Sequence, residues 1–217
     1  MTPRDRILDA AMTVFRRHGF RRSSIEQAAE AAGLTRQALY HHFDSKEALF
    51  RAVVERVYQS ALAAEIAAAD AKEKAGGGLA DILVAQITAR LTYLIASLDG
   101  SPHVEELFSE LGQSRDLYQK YASLSAAQGT ATIERVRAKR RLGSRMATGE
   151  LWRCIEMAVN GTKSAYPKLQ PLDAFLKDME TMLRALIAGA SGPSPTPRKV
   201  KSTIAKKSSR QKPGDRK

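Results

Sequence analysis

Two short helix-forming stretches separated by Gly33, Leu34 and Thr35 constrain this 217-residue chain more than any other feature. The first opens at Ser23-Ser24-Ile25-Glu26 and carries Ile25, Ala28, Ala29 and Ala32. Ser23 with Glu26 three residues on has the form of a capping box, in which each side chain satisfies an orphan backbone N–H. Gly33 stands where a helix end favours a left-handed residue. Thr35 is placed to cap a second short helix, from Arg36 to about His42. The alanines of the first stretch let another helix pack close. With a turn of only three or four residues between them, the pair reads as a helix-turn-helix over residues 24–43.

The flanks read as helix too. From Arg4 to His18, Ile7, Leu8, Ala11, Val14 and Phe15 fall on one helical face, and Gly19 follows as a stop. Asp44 with Glu47 suggests another capping box, opening a long helix through Leu49, Val53 and Val57 to Gly76-Gly77-Gly78. Further helices are predicted at 79–97, 102–111, 115–141, 145–161 and 172–189, with Ser101 as cap and Pro102 as first helical residue of the second. In the last, Leu172, Phe175, Leu176, Met179, Leu183, Leu186 and Ile187 keep helical spacing. The 145–161 segment presents Leu151, Trp152, Ile155, Ala158 and Val159. No strand pattern is found, and only 6% of residues are aromatic while alanine is plentiful. The expected fold class is therefore all-α: a three-helix head over 1–50, a larger helical domain over 51–190, and a disordered basic tail over 191–217.

Charge sharpens that division. The net charge is +12, but residues 191–217 hold nine Lys and Arg against Asp215 alone, so +8 of it belongs to the tail. A flexible cationic tail either adds salt-sensitive phosphate contacts or merely solubilises. The basic run Arg135 to Arg141 reads as cations complementing a helix C-terminus. The most apolar segment, Leu79 to Leu98, is interrupted by Asp81, Gln86 and Arg90, so no membrane-spanning helix is expected. No export signal is read at the N-terminus, and Cys154 is the single cysteine. A cytoplasmic protein is the expectation.

In a helix-turn-helix the second helix enters the major groove with its N-terminal side chains toward the base edges. Here those are Arg36 and Gln37. Arginine can bond guanine, and glutamine adenine, through two parallel hydrogen bonds each. Thr35 either caps the helix or touches a phosphate or thymine methyl. Tyr40 either packs on the first helix or faces the nucleic acid. Leu34, Leu39 and Phe43 are assigned to the core. The adjacent His41 and His42 point about 100° apart on a helix and have no Cys or acidic partner, so no metal is expected; His103 stands alone. No phosphate loop, dinucleotide fingerprint or nucleophile elbow is present, which argues against an enzyme and against a cofactor.

The run from Ile25 to Leu49, with its Ala-Gly turn, Leu-Tyr-His-His-Phe ending and Ser-Lys-Glu opening of the next helix, resembles the DNA-binding domain of the TetR family, most strongly over residues 4–50. The resemblance implies that Ser24, Tyr40, His41 and Lys46 hold phosphates. It implies a homodimer built from the last two helices of each subunit, binding a near-palindromic operator in double-stranded DNA. The same inference follows from the few base pairs one recognition helix can read, with half-sites about 34 Å or a multiple apart. It further implies a repressor released by a small-molecule effector held in the helical domain. Tyr93, Phe108, Tyr118, Tyr121 and Trp152 are the candidate lining, against ordinary core packing for each. The competing readings are an effector-independent or architectural DNA-binding protein and, further off, a helical small-molecule carrier or enzyme.

Overall fold

A computed structural model describes residues 2–166 and 169–192. Within them the regular structure is helical: α1 Pro3–His18, α2 Ile25–Ala31, α3 Arg36–Tyr40, α4 Lys46–Lys74, α5 Leu79–Ala96, α6 Val104–Gln113, α7 Arg115–Arg140, α8 Thr148–Ala165 and α9 Leu172–Ala190. The all-α expectation holds over these residues.

Helix starts differ from the sequence reading where a side chain has a tertiary alternative. The cap of α2 is Ser24, not Ser23. Ser24 accepts from the Gln27 amide at 3.2 Å, and Gln27 accepts from the Ser24 amide at 2.9 Å. Ser23 is buried, with its hydroxyl donating to the Gly19 carbonyl. Ser45 rather than Asp44 caps α4, accepting from the Ala48 amide at 3.0 Å. Helix α6 begins at Val104, because the Ser101 hydroxyl donates to the Arg16 carbonyl at 2.7 Å while accepting from the His103 amide at 3.1 Å. Helix α8 begins later than expected because Arg145 donates its amide to the Ala190 carbonyl at 3.0 Å, and Ser144 bridges Ser191. Ser191 and Gly192, assigned by sequence to the tail, are thereby tied to the fold. The remainder of that tail, 193–217, lies outside the described residues.

Two apolar clusters organise the packing. In the first, Ile7, Ala11 and Phe15 of α1 meet Ile25, Ala28, Leu39, Phe43, Leu49 and Phe50. Phe15 lies edge-on to Phe50, ring centroids 5.1 Å apart, and 5.9 Å from Phe20. This cluster does not stop at the head: Leu98, Leu107, Leu117 and Tyr121 complete it. Helix α4 also runs unbroken through residue 50, so head and body share both a helix and a core.

The second cluster sets α5 against α4, α7 and α9, with Leu151 and Ile155 of α8 joining Phe175, Met179 and Leu183 of α9. By length and composition α5 could cross a membrane; instead Ile82, Leu83 and Ile87 are buried inside the protein. Each of its polar interruptions has a partner. Asp81 accepts from the Gly78 amide at 2.9 Å and pairs with Arg184 at 2.7 Å. Gln86 donates to Glu65 at 2.7 Å, and Arg90 donates to Ser125 at 2.8 Å. Glu65 is fully buried and also accepts from Ser125 at 2.9 Å; burial pushes its carboxyl pKa up. Gly129 of α7 is where Trp152 crosses: a Cβ there would stand 1.9 Å from the indole ring, so only glycine allows this approach.

Candidate nucleic-acid interface

The second helix of the helix-turn-helix is held from behind and open in front. Leu39 is fully buried and Phe43 nearly so, with Leu34 half-buried against the same cluster. Thr35, Arg36, Gln37, Tyr40 and His41 are exposed on the other side. Thr35 precedes the helix as its cap and Phe43 follows it, while Arg36, Gln37, Tyr40 and His41 stay outside the apolar cluster that holds Leu39 and Phe43. Thr35 accepts from the Ala38 amide at 3.1 Å, so capping is one of its tasks.

Arg36 is the charged centre of this surface. Its Nε lies 2.7 Å from Glu26 Oε1, and its guanidinium stands 5.4 Å from the centre of the Tyr40 ring. The Tyr40 hydroxyl and then the Glu26 carboxylate raise its pKa further, so it is a permanent cation. Both members of the ion pair are well exposed. Such pairs are weak and salt-screened, so a guanine edge or phosphate can displace Glu26 at little cost. Glu26 is free to reach Arg36 because Gln27, not Glu26, closes the capping box.

Ser24 and Lys46 stand differently. Ser24 is half-buried at the start of α2 with its oxygen engaged by Gln27. Lys46 donates to the carbonyls of Phe20, Ser23 and Arg21 at 3.0, 3.1 and 3.4 Å and sits 4.5 Å above the Phe20 ring. An ammonium has three protons. All are used, and Lys46 pins the turn between α1 and α2. Glu106 of α6 grips the same turn, accepting from the Arg21 amide at 2.7 Å.

Beneath the head lies a cavity of about 430 Å³. Met12 and Phe15 of α1 and Phe50 of α4 form one wall, so the head's own core closes it. Of the five expected lining residues, Tyr118 and Trp152 line it. Tyr121 does not: it is buried, stacked on Tyr58 at 5.6 Å, with its hydroxyl 3.3 Å from Glu55. Tyr93 lies outside the lining with its side chain partly exposed. The side chain of Phe108 lies outside the described residues. The sequence reading missed Arg90, Arg115 and Lys163, which bring charge to the cavity from three helices. One signal was present: Arg90 breaks an otherwise apolar run.

Residues 7–53 match the sequence profile described as bacterial regulatory proteins, tetR family. The chain is 28% identical over 134 residues to the HTH-type transcriptional repressor Rv1474c of Mycobacterium tuberculosis, covering 62% of this chain and 64% of that one. Over 46 residues it is 46% identical to the HTH-type transcriptional repressor KstR2 of Rhodococcus jostii, covering 21% and 22%. The matches thus span less than two thirds of either relative. In three dimensions the chain is similar to SmeT, the repressor of the Stenotrophomonas maltophilia multidrug efflux pump SmeDEF, at 22% identity and a TM-score of 0.57, covering 89% of this chain and 97% of SmeT. A Mesorhizobium loti protein assigned to the TetR family gives a TM-score of 0.67 at 17% identity, covering 88% and 97%. At such identities the likeness is one of fold.

Proposed function

We propose, on the premise that residues 7–53 belong to the tetR family of bacterial regulatory proteins, that this chain is a cytoplasmic, sequence-specific DNA-binding regulator acting as a homodimer. The observation that carries this reading is the exposed row Arg36, Gln37, Tyr40 and His41, backed by buried Leu39 and Phe43. Arg36 and Gln37 read base edges; Tyr40, His41 and the helix start at Ser24 contact phosphates. Lys46 acts behind them by fixing the turn that sets the angle of α2.

The dimer is supported by α8 and α9. Met157 is 65% exposed and Met182 37% exposed, and beside Met182 on α9 lie the exposed small residues Ala185 and Gly189. An apolar, small-residue helical face of this kind suits a close helix-on-helix contact between identical subunits. Mass measurement of the chain bound to its duplex checks this: two chains per duplex are expected. Met157→Glu together with Met182→Glu should yield a monomer whose operator affinity falls more than about tenfold, since one half-site alone remains. One wild-type chain per duplex would contradict the dimer.

Control by a small molecule is the second part of the proposal, and repression its sign. The cavity supports it because Phe15 and Phe50 belong at once to the cavity wall and to the head's core. A ligand that alters their packing shifts the head only by the difference in its affinity for the two head positions. Operator DNA must in turn weaken ligand binding by the same factor.

A further inference from the structure

The cavity beneath the head is not uniformly apolar. Val53, Val54, Leu91 and Leu94 line its apolar part. Against them stand three cations, Arg90, Arg115 and Lys163, and one carboxylate, Glu156. Glu156 is already engaged, accepting from the Trp152 indole N–H at 3.0 Å. Arg90 is half-buried, donating to Ser125 with Glu65 3.9 Å away. The Lys163 ammonium makes no hydrogen bond or ion pair with any described residue, although it lines an apolar pocket. Burial, and the nearby Arg90, push its pKa down. A desolvated cation without a counter-charge is costly, and an arriving anion removes that cost.

We propose that the cavity takes an apolar molecule bearing a single carboxylate, with the carboxylate seated against Lys163 and Arg90 and the hydrocarbon among Val53, Val54, Leu91 and Leu94. This assignment rests on the effector reading above and names its chemistry. A cavity of about 430 Å³ is in the range of small-molecule sites. The charge pattern then chooses among occupants of similar shape. A neutral alcohol leaves Lys163 unpaired, and an ammonium adds a further like charge. The carboxylate gains charge-assisted hydrogen bonds from α5 and α8 at once.

Trp152, the single tryptophan, lies in the cavity lining and reports occupancy directly. Its emission is to be titrated, without DNA, by decanoate, decan-1-ol and decylammonium. Decanoate should bind at least about tenfold more tightly than decan-1-ol, the smaller end of what a hydrogen bond to a charged group supplies. Lys163→Met should remove most of that advantage while leaving decan-1-ol unchanged, and Lys163→Arg should restore it. Should Lys163→Met fail to fold, Lys163→Gln serves the same comparison. Equal affinities for decanoate and decan-1-ol, no response to any of the three, or a decanoate affinity untouched by Lys163→Met would each overturn the assignment. Release of DNA is read separately, by anisotropy of a labelled operator. Decanoate bound through Lys163 without DNA release would sink effector control and leave the ligand assignment standing. Decan-1-ol binding as well as decanoate, with DNA release, would do the reverse.

Discussion

Replacing Arg36 and Gln37 together by alanine is expected to abolish sequence discrimination while the protein stays folded. Both side chains are exposed, and neither belongs to the apolar cluster behind α3. In the proposed function the pair supplies directional hydrogen bonding to base edges, and each two-bond contact discriminates by roughly tenfold to a hundredfold. Losing both should cut the specific-to-nonspecific ratio by at least about a hundredfold. Phosphate contacts persist, so binding to random duplex should change little and retain its salt dependence. Anisotropy titrations against the selected site and a scrambled duplex measure the ratio, and a thermal melt confirms folding. A double variant that still discriminates as the wild type would show that recognition lies elsewhere on the head.

Phe15→Ala should produce the largest loss of stability. Phe15 is fully buried between Phe20 and Phe50, at 5.9 and 5.1 Å, and on its other side forms the cavity wall. Truncating a buried phenylalanine costs about 3–5 kcal/mol. That is a large share of the total for a domain stabilised by about 5–15 kcal/mol. Here the void left by the ring opens into an existing cavity, so the surroundings have little to collapse onto and the upper end is expected. Urea unfolding should show a clearly lowered midpoint, and operator binding should fall with it because α1 no longer supports α2 and α3. A change below about 1 kcal/mol would mean that the head does not pack around Phe15 as described.

The two outcomes separate the kinds of information held in the sequence. Periodicity placed α1, α5, α7 and α9 within a residue or two, because each buries one face against a partner whose identity did not need to be known. Helix starts were less legible. Ser23-Glu26 and Ser24-Gln27 both satisfy the capping-box spacing, and only the Gly19 carbonyl, which engages Ser23, selects the second. Asp44 and Ser45 pose the same ambiguity, and Ser101 is diverted to Arg16, eighty-five positions away in sequence.

The exposure of Arg36, Gln37, Tyr40 and His41 was legible because they fall on or beside one short helix with Leu39 and Phe43 assigned to the core behind it. The contacts of Lys46 were not, since its carbonyl partners come from the α1–α2 turn. The cavity was legible only in part. Its lining comes from several helices, and an aromatic residue does not reveal whether it faces a void or solvent: Trp152 faces the cavity while Tyr93 lies outside its lining. Arg90 in an apolar run was the better clue, because a cation there requires a partner.

Selection of bound sequences from a random duplex pool, at roughly physiological salt, tests the central claim most directly. It should be run on the full chain and on a version ending at Gly192, which keeps the Ser144–Ser191 bridge and removes the basic segment. Recovery of one near-palindromic motif by both is the predicted result. No enriched motif, with binding lost once residues 193–217 are removed, would contradict it and reduce the chain to a nonspecific cation for DNA.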